Sequence, residues 1–131
     1  MPKLNRRQRC FQVLRWAESI WPCGKPCQLF LPDYVIDWNG KVTKDSKNLF
    51  GVTYRDRSSF HIYVSMKNCR QVSQAVETLI HEYTHAYIWP PAKVEFKRPE
   101  HGPVYWTAYG EIMDAFMDGG GAFHSKEFPY E

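Results

Sequence analysis

Apolar residues recur along this chain with two periods, one near helical spacing and one alternating, and each block switches from one to the other. In the first block Cys10, Phe11, Leu14, Ala17 and Trp21 share one face of a helix. Asn5 followed three residues later by Gln8 resembles a capping box at its start, and Pro22, Gly24 and Pro26 end it. In the second block Tyr34-Val35-Ile36-Asp37-Trp38 reads as a short strand closed by the turn pair Asn39-Gly40. A polar stretch through Lys47 leads to a second strand, Leu49 to Tyr54, and a charged turn leads to a third, Phe60 to Val64. The third block is helical again. Val72, Ala75, Val76, Leu79, Tyr83, Ala86 and Tyr87 form a broad apolar stripe, with Asn68 as the expected N-cap and Gln71 at the capping-box position. Pro90 and Pro91 forbid continuation past Tyr87 or Ile88. After a loop through Lys93, Lys97 and Arg98, Gly102 and Pro103 open a last helix, with Val104, Tyr105, Ala108, Ile112, Ala115 and Phe116 inward. Asp118 and three glycines end it, leaving residues 118–131 as an expected loosely held tail. Helix, three strands, then two helices predict an α+β fold in a single domain spanning 1–131, with the helices on one side of a small sheet.

Within the third block stands His81-Glu82-Tyr83-Thr84-His85. Two imidazoles four residues apart on a helix lie on one face and can grip a single Zn²⁺. Glu82 sits one step round, placed to take a proton from a water on the metal rather than to bind it. At about 100° per residue, both histidines fall opposite the centre of the apolar stripe, in line with Gln74, Glu77 and Thr78. A third histidine, His101, opens the last helix. Three protein ligands and an open fourth position describe a catalytic zinc site rather than a structural one. Metal-dependent peptide-bond hydrolysis is the chemistry this pattern points to. A rival third ligand is an acidic residue on the last helix, Glu111 or Asp114, while Glu100 reads as a supporting or solvent-facing group. Tyr105, His61 and Tyr83 are the candidate donors to a developing oxyanion.

Composition narrows the setting. The 131 residues carry 44% hydrophobic and 16% aromatic content, which suits a packed globule. No apolar run is long enough to span a membrane, and no signal-peptide h-region follows the basic start, so an intracellular protein is expected. Four cysteines, Cys10, Cys23, Cys27 and Cys69, are too few and too scattered for a disulfide scaffold. Cys23 and Cys27 have no second matching pair and read as ordinary thiols. Net charge is only +3, but Lys3, Arg6, Arg7, Arg9 and Arg15 crowd the first fifteen residues. That cluster is either a DNA-contacting face or a solvated one.

The chain resembles the SprT-like zinc metalloprotease family, the Spartan-related proteases of DNA–protein crosslinks, as a bare protease domain. The resemblance runs from about Leu4 to Phe116 and is carried by Trp38-Asn39, Phe50-Gly51-Val52-Thr53, Ile62-Tyr63-Val64, His81 through Tyr87, and His101-Gly102-Pro103. It departs from the family at Tyr105-Trp106, where a more acidic, phenylalanine-bearing pair is usual. The resemblance implies a zincin-like minimal fold, zinc held by His81, His85 and His101, and Glu82 as general base. It also implies that the third strand rims the cleft and pairs with an extended substrate. The expected function is a monomeric zinc endopeptidase acting on DNA-associated proteins. Two alternatives stay open: a regulatory peptidase of ImmA type that clips one partner, and a zinc-stapled nucleic-acid-binding module without catalysis.

Overall fold

The computed structural model describes residues 5–89 and 101–118. Lys3, the Pro90-Pro91 stop, the loop of Lys93, Lys97 and Arg98, Glu100 and the tail beyond Asp118 lie outside them. The fold is mixed α+β, with three helices and a three-stranded sheet: α1 (Arg6–Ile20), β1 (Cys27–Phe30), a 3₁₀ turn at Ser46–Asn48, β2 (Gly51–Arg55), β3 (Phe60–Val64), α2 (Val72–Tyr87) and α3 (Pro103–Met117).

Helix α1 begins where its cap requires. The Asn5 side chain accepts from Gln8 N at 2.8 Å, and Gln8 Oε1 accepts from Asn5 N at 2.9 Å. Its buried face is Cys10, Val13, Leu14, Trp16 and Ala17, whereas Phe11, expected inside, is 42% exposed. The start of α2 differs from expectation by one turn. Gln71 is the cap, with Gln74 Oε1 accepting from its N–H at 3.1 Å. Asn68 instead spends its amide on the carbonyls of Lys47 and Leu49, at 2.8 and 2.9 Å, which ties the chain before β2 to the chain before α2. Gly102 and Pro103 open α3 as expected, but Val104 faces outward.

The sheet order is β1-β3-β2, with β1 parallel and β2 antiparallel to β3. Two expectations fail here. The segment Tyr34–Trp38 is irregular, and the first strand is Cys27–Phe30 instead. Its pairing carries on past β3, where Met66 N donates to Pro32 O and Lys67 N to Asp33 O. The third strand is also the middle one, bonded on both sides, so no substrate can add to it. Among the described residues the free edge beside α2 belongs to β2.

Register decides which side chains meet the helix. Cys27 and Leu29, Phe60, Ile62 and Val64, and Gly51, Thr53 and Arg55 fall on one face by the paired positions. Ile62 and Val64 join Val76, Leu79, Ile80 and Tyr83 of α2 and Cys10, Val13 and Leu14 of α1 in one core. No helix among the described residues is long and apolar enough to cross a membrane.

Gly51 sets how close the sheet can come. A Cβ built there would lie 2.7 Å from Thr78 Cγ2, 2.9 Å from the Tyr63 carbonyl oxygen and 3.0 Å from Glu82 Cγ. The carbonyl belongs to the partner strand and cannot swing away. Gly51→Ala is expected to destabilise the fold by about 1–3 kcal/mol through overpacking, read as a lower urea midpoint at unchanged slope.

Candidate metal centre

Helix α2 delivers two histidines and the entry to α3 delivers the third. His81 and His85 are one turn apart, and His101 immediately precedes the α3 cap residue Gly102. The three side chains converge through Nε2. His85 Nε2 lies 2.9 Å from His101 Nε2, which in turn lies 3.1 Å from His81 Nε2. One nitrogen shared by two such contacts has a single proton or a single lone pair, so hydrogen bonding can satisfy only one of them well. A cation at their centre satisfies all three. Metal–nitrogen bonds of about 2.0–2.1 Å in tetrahedral geometry place ligand nitrogens roughly 3.3 Å apart, close to what is seen. The chain thus offers an all-imidazole site that can hold a metal ion, and no other such cluster occurs among the described residues. Imidazole donors suit zinc, copper, iron or nickel.

The centre opens in one direction. His85 is fully buried, His81 half-buried and His101 exposed. Tyr105, 1% exposed, packs its ring 4.6 Å from the rings of both His85 and His101, and its hydroxyl donates to the His81 carbonyl at 3.0 Å. The Trp106 ring stands 5.6 Å from that of His101. This aromatic bed explains why His85, on the polar side of α2 by periodicity, is nevertheless dry. The helix is covered on both sides, by α3 over His85 and by β2 over Thr78 and Glu82.

Glu82 is only 2% exposed, yet it borders a cleft of about 480 Å³ together with His81, Gly51, Thr78, Glu77 and Tyr109. Its carboxylate is held from the sheet. Thr53 Oγ1 lies 2.7 Å from Glu82 Oε1 and 2.9 Å from the Glu82 carbonyl oxygen, so one hydroxyl proton serves the side chain and the backbone of the same residue. Comparison with protein-family models, curated proteins and solved structures found no match.

The rival ligands do not reach it. Glu111 and Asp114 are both exposed, and Glu111 borders a separate hollow with Tyr87 and Pro103. The oxyanion candidates are also engaged elsewhere. Tyr83 is buried in the core and donates to the Trp21 carbonyl at 2.5 Å. His61 lies on the sheet face away from α2, 2.8 Å from Asp56 Oδ2. Tyr105 serves the His81 carbonyl. The cleft tyrosine is Tyr109, which sequence reading passed over. Burial, reinforced by the charge of Glu77, pushes its hydroxyl above the ordinary tyrosine value, so it keeps its proton at neutral pH. Its place one helical turn beyond the inward-facing Tyr105 was the available signal. For Thr53 the available signal is alternation along the second strand, which puts it on the face toward α2.

The basic cluster needs correction. Arg9 is fully buried, and Arg6 donates to the carbonyls of Met66 and Cys69, both at 2.6 Å, clamping α1 to the turn before α2. Of the four proposed nucleic-acid contacts, Arg7 and Arg15 are on the exposed surface.

His101→Ala is expected to weaken metal binding by more than the roughly 10–100-fold that losing a supporting partner costs, whereas Glu111→Ala leaves it unchanged. Tyr105→Phe, which loses the bond to the His81 carbonyl, should fall within that 10–100-fold range. Calorimetric titration of the metal-free protein with Zn²⁺ measures all three.

Proposed function

We propose that the chain is a zinc-dependent endopeptidase of SprT-like type that hydrolyses peptide bonds in extended protein segments. The observation that carries this reading is Glu82, a carboxylate on the wall of an open cleft, next to three converging imidazoles and clamped by Thr53. A site that only stapled the fold would have no use for an oriented base on a cleft wall.

Zinc bound there would acidify a water and polarise the scissile carbonyl. The remaining steps belong to the chain. Glu82 takes the proton from the attacking water and returns it to the leaving amine. Thr53 orients the carboxylate for that exchange. Tyr109, protonated and lining the cleft, supplies the donor to the oxyanion. An extended substrate adds to the free edge of β2, whose first residue, together with Leu49 and Phe50, borders the same cleft.

The substrate reading is DNA-associated proteins, with Arg7 and Arg15 as the remaining basic contacts. The inward turn of Arg6 and Arg9 favours the second reading, a peptidase selective for one protein partner without need of DNA.

Glu82→Gln should keep zinc and lose turnover by about 10²–10⁴-fold, the usual yield of a general base. Tyr109→Phe should lower kcat about tenfold or more at unchanged zinc affinity. Both are measured as cleavage of a DNA-binding protein with and without single-stranded DNA. Turnover by Glu82→Gln at the wild-type rate would sink the mechanism. Glu82-dependent cleavage that rises with DNA supports the first substrate reading, and cleavage indifferent to DNA supports the second.

A further inference from the structure

On the side of α2 away from the cleft, a short loop brings together two thiols that the metal centre does not use. Pro22, Gly24 and Pro26 turn the chain between α1 and β1, and Gly24 does so at φ +84°, a region open to glycine. The loop is anchored where it ends, with Phe60 N donating to Pro26 O at 2.9 Å and Cys27 opening β1. Cys23 Sγ and Cys27 Sγ consequently lie 3.4 Å apart. Both are free and half-buried, while Cys10 and Cys69 are free and fully buried. A disulfide bond needs about 2.05 Å, a closure that small side-chain rotations in a five-residue loop can supply. No third metal-binding group joins the pair among the described residues, so the arrangement is a dithiol and not a half-built metal site.

The two sulfurs are unequal. The hydrogen bond between the two sulfurs holds the Cys23 thiol below its ordinary value and, with burial, pushes Cys27 above it. One sulfur is therefore the nucleophile and the other keeps its proton until needed. The Tyr83 hydroxyl lies beside Cys23 while donating to Trp21 O, so the pair rests against the residue at the centre of the metal motif.

We propose that Cys23 and Cys27 form a thiol–disulfide exchange site whose co-reactant is a small-molecule disulfide such as oxidised glutathione. The Cys23 thiolate attacks one sulfur of the co-reactant, whose S–S bond breaks and releases one small thiolate. Cys27 gives its proton to that thiolate and attacks the Cys23 sulfur, expelling the second. Two protein thiols are oxidised to one disulfide, and one small disulfide is reduced to two thiols.

The test is equilibration of the whole chain in glutathione buffers of graded oxidation, followed by an acid quench, rapid alkylation in denaturant and peptide mapping. The expected result is loss of the Cys23 and Cys27 thiols together, as one intramolecular disulfide, while Cys10 and Cys69 stay alkylatable. Cys27→Ser should accumulate a glutathione mixed disulfide at Cys23. Cys23→Ser should slow modification of Cys27 by at least about tenfold. The wild-type map stands alone if either variant folds poorly. Retention of both thiols in fully oxidised glutathione, modification of all four cysteines in parallel, or disulfides between chains would each overturn the proposal.

Discussion

The contact on which the rest of the structure depends is the approach of β2 to α2 at Gly51. A strand and a helix ordinarily keep a side chain between them. Here there is none, and Thr78 and Glu82 press directly against the strand backbone. That closeness lets Thr53, two residues on and on the same face, reach both the carboxylate and the carbonyl of Glu82. A buried carboxylate without such a partner would cost several kcal/mol. The absent side chain and the hydroxyl beside it thus work together: one makes room, the other satisfies the charge brought into that room.

The histidines are organised by a different principle. Aromatic packing is prominent in holding them. The Tyr105 ring lies against those of His85 and His101, and its hydroxyl reaches back to the α2 backbone at His81. A single residue of α3 thereby ties His101, at the entry to that helix, to the helix that carries His81 and His85. An aromatic there does what an aliphatic could not, since it offers a flat face to two imidazoles and a polar tip to a carbonyl.

Much of the fold was legible because its signals are local. The Asn5–Gln8 cap, the alternation of Phe60 to Val64, the stripe on α2 and the Gly102-Pro103 start all depend on residues within a few positions of one another. The failures are non-local. Tyr34 to Trp38 has the composition of a strand, but the edge of β3 is already taken by Cys27 to Phe30, which carries a weaker signal between prolines. Asn68 is a good capping residue, yet two carbonyls from the distant 47–49 segment outbid the helix for its amide. The three histidines that could hold a metal were legible from local pattern, His81 and His85 from their spacing and His101 from the Gly102-Pro103 that follows it. The partners that orient the site, Thr53 and Tyr105, lie 29 and 24 positions from the groups they bond, beyond the reach of any local pattern. The arginines misled for the same reason, since charge in a sequence says nothing of the carbonyls waiting to accept Arg6.

Tyr83 occupies one of the two unspecified positions of the His-Glu-x-x-His pattern, and its hydroxyl is moored to Trp21 at the end of α1. On the opposite flank of the same turn, the carbonyl of His81 is moored to α3 through Tyr105. With an attachment on either side, α2 cannot roll about its own axis. The bearing of the histidines toward their common centre is a property of three helices locked in phase, and the interior positions of the motif act as its keyway.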